Sequence, residues 1–418
     1  MRAHRAPVYN CAAVKRYSYV IVGASIAGLS AAGAIRARDP AGPVLLIHGE
    51  DRLPYKRTQL SKQLFQGFSR DGFAVHPLEW YLTNRIELLQ GTRAVRIEPS
   101  PREVFLSSGE VVGYQSLLIA TGAEPATLAV AGSEYLTYLR WIHQAEAMAL
   151  LAREATKAVS IGFGVQGVEI ADQFAAQGIT TSLVGRSNRL MDGHLDDEAS
   201  HRLETRIRAA GVEVLLMGSI REVQRDAGGC RVLADEGELE AGIIAASVGA
   251  RSAGDLADSG WLPREKGGGN GVVVGRDMKT GIEGVYAAGD AAAPLPGASW
   301  GLWHSAEAAG AIAGINMAGG DARPEPRPYR LKCEAFGGYL FSLNYSGVSS
   351  DPVSESRVLR CTPSLYLRVW EREGRSVGAL LDIYPNPGKS AVKTMGKQLE
   401  GLILEGVPAR GIPEALGI

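Results

Sequence analysis

Apolar residues in this chain gather in short runs closed by glycine, and the runs alternate with stretches of small helix-forming residues. Tyr19 to Val22 is a β-branched and aromatic run, Gly23 to Gly28 reads as a turn, and Leu29 to Ala37 favours helix. Val44 to Ile47 is a second buried strand, followed by the charged Glu50 and Asp51. The pattern predicts a βαβ unit. A second copy follows: strand Ala158 to Ile161, turn Gly162 to Gly167, helix Val168 to Ala176 and strand Thr181 to Val184. The runs Leu117 to Gly122 and Ile243 to Gly249 close the two copies in the same order, which predicts two related Rossmann-like domains. Gly284 to Asp290 reads as a strand ending in Gly-Asp, and Ser305 to Ala318 as a small-residue helix.

The proline-rich, charged stretch Arg323 to Pro328 reads as a linker. Beyond it, Leu331 to Tyr345, Ser364 to Glu371 and Val377 to Asp382 are predicted antiparallel strands, with a hairpin turn at Glu373-Gly374 and a helix from Lys389 to Leu402. This last part reads as a separate α+β domain.

Composition narrows the partners. Lys+Arg 44 against Asp+Glu 45 gives a net charge of −1, so no bulk electrostatic drive carries the chain to nucleic acid or anionic membrane. Cys11, Cys230, Cys333 and Cys361 lie far apart, which excludes a CxxC redox pair, a zinc ribbon and a disulfide framework, and fits a reducing compartment such as the cytoplasm. The apolar run Tyr17 to Ile35 is interrupted by Gly23, Ser25, Gly28 and Gly33, so it predicts strand, turn and helix rather than a membrane span. The first seventeen residues carry Arg2, Arg5, Lys15 and Arg16 without an acid and lack the apolar stretch of a secretory signal. A disordered extension is preferred there to a short organelle-directed leader. The glycine excess, 52 of 418 residues, sits inside apolar runs, where backbone must pass close to something.

Two turns say what that something is. In the first, Gly23 permits the tight strand-to-helix turn and Gly28 lets helix and strand pack closely, while Ser25 takes the middle position, usually glycine, where backbone approaches a pyrophosphate. Glu50, past the second strand, is placed to accept hydrogen bonds from a ribose diol. The second turn, Gly162-Phe163-Gly164-Val165-Gln166-Gly167, has all three glycines. Its second strand ends not in an acid but in Gly185-Arg186-Ser187-Asn188-Arg189, and Arg186 with Ser187 suits a 2′-phosphate. That favours NADPH over NADH; with Arg186 and Arg189 as solvated loop charges, either nucleotide would bind. Two such domains imply two dinucleotides, one donating hydride and the other, most economically, a flavin accepting it.

With Gly23 to Gly28, Thr121-Gly122, Gly162 to Gly167 and Ala288-Gly289-Asp290 in this order, the chain resembles the FAD-dependent pyridine nucleotide-disulfide reductase superfamily. It is most similar to the ferredoxin and rubredoxin reductase branch, which lacks the active-site disulfide. Leu53 to Lys62 resembles that branch's "PYxRxxLSK" segment, Val168-Glu169 follows the second turn as its glutamate does, and Trp303 begins a "WxxA" helix. The resemblance is strong over residues 18 to 320 and loose beyond. It implies an N-terminal extension (1–17), an FAD-binding domain in two segments (18–124 and 252–322), an NAD(P)-binding domain (125–251) and a C-terminal α+β interface domain (323–418). It also implies that Glu50 binds the adenosine ribose of FAD, Ala94 touches the adenine, Asp290 bonds the ribityl chain, and Arg57, Thr121 and Gly122 line the site. Lys62 would lie near flavin N5, paired with Glu169, and Trp303 beside the isoalloxazine. Gly249 would close the NAD(P) site.

A fixed ammonium near N5 stabilises the negative charge of a reduced flavin, and a buried lysine needs a carboxylate to stay charged. Oxidase relatives would carry the redox cysteine at the position of Lys62. Ser252 and Ala253 replace the Pro-Asn of relatives, an exchange expected to loosen that loop. The resemblance implies electron transfer to a small iron–sulfur protein, a ferredoxin or rubredoxin, by a monomer or homodimer. The rivals are an oxygen-consuming oxidase, a monodehydroascorbate-reductase-like enzyme and a flavoprotein redox sensor.

Other signals are weaker. His304 beside Trp303 reads as a surface or packing histidine, and His194 and His201 as exposed helix histidines rather than metal ligands. Cys333 and Cys361 share one domain and could approach each other, though buried structural thiols are the preferred reading. Lys389, Lys393 and Lys397 share a helix face that would be solvated or dock an acidic carrier.

Overall fold

The computed structural model describes residues 14–69, 72–226, 229–253, 256, 260–265, 271–293, 301–325 and 328–418. Cys11, the run Gly267 to Gly269 and part of the proline-rich linker lie outside them. The chain divides into two units. The first takes residues up to Lys56, then Phe68–Glu124 and Ala250–Glu325; the second takes Arg57–Gly67, Pro125–Gly249 and residues from 326 to Ile418.

In the first unit, strands Ile86–Leu89, Val44–Ile47, Lys15–Val22, Val111–Ile119 and Val285–Ala287 lie parallel in that order. Val20 stands between Leu45 and Leu117, and Ile21 between Leu46 and Leu118, all buried. Such near-continuous apolar runs belong in a sheet covered on both faces. Antiparallel strands Glu103–Leu106 and Ala94–Glu98 extend the sheet from the first half of Val111–Ile119. The first strand begins at Lys15, inside the expected extension: Lys15, Arg16 and Tyr17 pair with Val112, Gly113 and Tyr114.

Helices Ile26–Arg38 and Trp303–Met317 pack backbone to backbone. A Cβ at Gly310 would stand 2.1 Å from the Ala27 carbonyl oxygen, and one at Gly314 would stand 2.4 Å from that of Ala31. The second helix is rich in small residues because its neighbour leaves no room for larger ones.

In the second unit, strands Glu213–Leu216, Thr180–Gly185, Lys157–Ile161 and Ile243–Ala246 lie parallel in that order. An antiparallel meander of Ile220–Asp226, Gly229–Ala234 and Gly237–Ala241 was not anticipated from the sequence. The C-terminal sheet is antiparallel, in the order Arg330–Ala335, Gly338–Leu343, Arg375–Ile383, Leu365–Arg372 and Glu355–Thr362. The single strand expected from Leu331 to Tyr345 is a hairpin, turned at Phe336 and Gly337, whose φ angles are +50° and +69°.

One face of this sheet is covered by helix Lys389–Glu405 through Val392, Leu399 and Ile403. Leu331, Leu340 and Tyr366 instead share a core with Val168, Leu203 and Ile207 of helices Val165–Ala176 and Asp197–Ala209. The C-terminal sheet and the second βαβ region therefore share one core within the second unit. Buried charge crosses the same seam: Asp382 accepts hydrogen bonds from Arg202 Nε and Arg206 Nη1, each at 2.8 Å.

Cys333 and Cys361 lie on opposite edge strands of the five-stranded sheet and cannot pair. Cys333 is buried, whereas Cys361 is exposed, contrary to expectation. His201 is exposed on its helix, but His194 lies in a loop, half-buried, with its ring stacked on Tyr329 at 5.6 Å. Lys389, Lys393 and Lys397 are exposed along one helix face. Among the described residues, no helix is long and apolar enough to cross a membrane, and no cluster could hold a metal ion.

Candidate functional site

The first glycine turn, in the first unit, joins strand Lys15–Val22 to helix Ile26–Arg38. Gly23 has φ +107°, and a Cβ there would lie 2.2 Å from the Ala120 carbonyl oxygen. A Cβ on Gly28 would lie 2.0 Å from the carbonyl oxygen of Gly23 itself, so the helix sits directly on the turn. Ser25 is the helix N-cap, and its side chain makes no capping bond. Ser25 thus leaves the first-turn amides of this helix without a side-chain cap.

Around this turn the predicted residues are fixed by neighbours in the same unit. The Tyr55 hydroxyl donates to Glu50 Oε2 at 2.9 Å, and Tyr55 is buried, held by a bridge to Ala74. The Thr121 hydroxyl donates to the Ala253 carbonyl at 2.6 Å, while the Ala253 amide donates to the Gly122 carbonyl at 2.9 Å. Ser252 Oγ donates to the Asp290 carbonyl at 2.6 Å. Ser252 and Ala253 therefore tie the Thr121-Gly122 corner to Asp290. Ala94 opens an edge strand, opposite Leu106. Trp303 is half-buried at the start of helix Trp303–Met317, with His304 half-buried after it.

The second turn, in the second unit, repeats the first. Gly162 has φ +121° with its would-be Cβ 2.2 Å from Ser247 O, and that of Gly167 lies 2.0 Å from Gly162 O. Gly164 is the uncapped N-cap of helix Val165–Ala176, and a Cβ added there meets nothing within 4 Å. Gln166 donates to the Leu139 carbonyl at 2.9 Å and accepts from Ser247 Oγ at 3.1 Å. Gly249, with φ +112°, accepts at its carbonyl from the Ala126 amide at 3.0 Å. Past strand Thr180–Gly185, Arg186 is exposed and Ser187 half-buried. Arg189 is an ion-pair partner of Asp192 at 2.7 Å and also of Asp197, so it is not a plain solvated charge.

The same unit contains the predicted lysine. Residues 57–67 pack with it, so Lys62 meets Glu169 of helix Val165–Ala176 within one body. Lys62 Nζ donates to Glu169 Oε1, and Ser61 Oγ donates to Oε2 at 2.5 Å. The Glu169 side chain is 4 % exposed and that of Lys62 23 %. Burial opposes the Lys62 charge, but Glu169, with Cys333 and Glu334, overcomes it and raises the pKa of the ammonium. Burial raises that of Glu169, and Lys62 and Ser61 offset it in part. One turn along the helix, Asp172 accepts from the Phe336 amide at 2.8 Å and is likewise raised by burial. Burial also pushes the Cys333 thiol far up, leaving it neutral and a poor nucleophile.

Arg57 lies with this unit: its guanidinium donates to the Arg140 carbonyl at 3.2 Å and sits 4.0 Å from the Trp141 ring. Tyr55, Ser61, Gln166 and Asp172 were not singled out from the sequence. Two of them fall inside the quoted Leu53 to Lys62 segment, but nothing local marks which polar residue there is buried against an acid.

Two uncapped glycine turns, each at the carboxyl end of a parallel strand, define a protein with two Rossmann-like dinucleotide folds. The chain belongs to the pyridine nucleotide-disulphide oxidoreductase family, whose profile matches residues 17–310. It is 30% identical over 286 residues to rhodocoxin reductase of Rhodococcus erythropolis, covering 67% of this chain and 66% of that protein. It is 30% identical over 278 residues to rubredoxin-NAD(+) reductase of Pseudomonas putida, covering 65% and 71%. The chain thus matches about two thirds of the length of these curated relatives. Among solved structures, the ferredoxin reductase for the CYP199A2 system from Rhodopseudomonas palustris aligns with a TM-score of 0.82 at 21% identity, covering 94% of this chain and 96% of that one. The covalent putidaredoxin reductase–putidaredoxin complex aligns at 0.80 and 21% identity, covering 97% and 96%. These structures share the fold, including the C-terminal sheet that lies beyond the family profile.

Proposed function

We propose that the protein is an NAD(P)H-dependent flavoprotein reductase that passes hydride to FAD and then single electrons to a ferredoxin- or rubredoxin-like iron–sulfur protein. The observation that carries the reading is the ion pair of half-buried Lys62 with buried Glu169, which stands where the resemblance would put a redox cysteine in a thiol-dependent relative. Gly23, Ser25 and Gly28 would hold the FAD pyrophosphate at the uncapped helix start, Glu50 the adenosine ribose, and Ala94 the adenine. Thr121, Gly122, Asp290, Arg57 and Trp303 would line the rest of the flavin site. FAD suits this role because it accepts two electrons as hydride and releases them one at a time. Lys62, kept charged by Glu169, would hold positive charge where the reduced ring gains negative charge.

Gly162, Gly164 and Gly167 would receive the NAD(P)H pyrophosphate, with Gly249 at the closing corner. Arg189 is committed to Asp192 and Asp197, so Arg186 with Ser187 is the pair we assign to a 2′-phosphate, which makes NADPH the preferred donor and NADH the second. Relatives named for NAD(+) or NADH are the reason to measure both. The scattered thiols suit a cytoplasmic protein.

Anaerobic stopped-flow absorbance tests this reading. Rapid bleaching of bound flavin by NADPH or NADH, then rapid reoxidation by a one-electron acceptor such as ferricyanide or a purified ferredoxin, is expected. Fast reoxidation by oxygen alone would make the protein an oxidase, and a long-lived reduced state with every acceptor would make it a sensor.

A further inference from the structure

The geometry around Glu169 assigns a role to Ser61. The two oxygens of one buried carboxylate are engaged by adjacent residues of one short segment: Ser61 on Oε2 and Lys62 on Oε1. Ser61 is itself buried. The carboxylate cannot rotate without breaking one of these bonds, and a hydroxyl supplies the second bond without cancelling charge.

The segment is well mounted. The Leu60 amide donates to the Arg57 carbonyl at 3.1 Å, and the Lys62 amide to the Gln59 carbonyl at 3.2 Å. Arg57 is anchored on Arg140 and Trp141, and Phe65 meets Phe174 edge-on at 6.4 Å. Facing the pair are Cys333 and Glu334 from strand Arg330–Ala335 and Asp172 from the helix of Glu169. Arg206, which also faces Cys333, is bonded to Asp382. Lys62 is therefore the cation that answers Glu169 directly, and an unassisted carboxylate in so buried a place would tend to take up a proton.

We propose that Ser61 is a positioning residue: its hydroxyl holds Glu169 ionised and in one orientation, so that Lys62 stays charged and fixed. The inference rests on the reading above that Lys62 acts at the flavin.

The test compares Ser61→Ala, Ser61→Thr and Lys62→Met in the FAD-loaded protein. The readouts are the rate of flavin reduction between pH 5 and 9, the KM for the nucleotide, and the flavin midpoint potential. Glu169 must be ionised for the pair to form, so the rate falls as pH falls through its pKa. Losing a hydrogen bond to the charged form raises that pKa, and Ser61→Ala should move the acid limb up by about 1 pH unit. It should also shift the midpoint potential and slow reduction several-fold at neutral pH, with the nucleotide KM changed less than about twofold. Ser61→Thr, which keeps the hydroxyl, should restore the wild-type profile. If Ser61→Ala does not fold, Ser61→Cys, close in size but a weak donor, carries the same expectation. An unshifted profile and potential in the hydroxyl-free variants, while Lys62→Met lowers the potential, overturns the role of Ser61. An unchanged potential in Lys62→Met overturns it from beneath, by removing the reading on which it rests.

Discussion

The two glycine turns are near copies set in different surroundings. In both, the first glycine has positive φ beneath the carbonyl of the residue just past the closing strand, and the last glycine rests 2.0 Å, measured from its would-be Cβ, above the first. In both the helix N-cap lacks a side-chain bond. They differ in the middle residue, Ser25 against Gly164, and in what lies past the second strand, Glu50 against Arg186. Their mounts differ as well. The first helix is pressed against Gly310 and Gly314 backbone to backbone, whereas the second faces a sheet tied down by Asp172 and, nearby, by Asp382 with two arginines. The shared part is what any dinucleotide pyrophosphate demands; the unshared part is where discrimination between two dinucleotides can reside.

The comparison can be broken most severely at the last glycines. Gly28→Ala and Gly167→Ala each drive a methyl into a backbone carbonyl that cannot yield, and each should cost at least about 3 kcal/mol of unfolding free energy in urea titration. If either is tolerated within 1 kcal/mol, on the order of a surface change, the turns are not equivalent.

A smaller effect lies past the second strand. Arg186→Glu should move the NADPH/NADH ratio of kcat/KM toward NADH by about tenfold or more, since it replaces a phosphate partner with a carboxylate. An unchanged ratio would assign the 2′ position to other residues.

The smallest effects sharpen the comparison. Gly164→Ala adds a methyl to open space and should cost under about 1 kcal/mol. Ser25→Gly, which gives the first turn the pattern of the second, should change stability by only a few tenths of a kcal/mol, because Ser25 makes no capping bond. A large loss in Ser25→Gly would show that the hydroxyl has a ligand to hold.

The parallel strands were legible because a strand buried on both faces must be apolar throughout, and Tyr19 to Val22, Val44 to Ile47 and Leu117 to Ile119 have no other place to go. The hairpin at Phe336 was not legible, since a left-handed phenylalanine carries no local mark, and its turn is held by a hydrogen bond to Asp172, 164 residues away. The strand Glu355–Thr362 is not legible either, because it is an exposed edge whose polar residues show no alternation. Within the site, Glu50, Lys62 and Glu169 were named by motif and resemblance, while Tyr55 and Ser61 were not. Which polar neighbour meets an acid depends on burial and direction, and neither is written in a motif.

The spacing of glycines and apolar runs, by itself, determined that this chain builds two dinucleotide turns, because each turn is a local backbone shape that only particular residues can adopt. The scatter of four cysteines likewise determined that no adjacent thiol pair serves them. Tertiary structure decided that residues 57–67 leave the first unit to pack with the second, that the C-terminal sheet shares its core, and that Ser61 and Lys62 close on one carboxylate. Those outcomes depend on which surfaces bury together across more than a hundred residues of chain, and long-range burial is a property of the fold rather than of any segment.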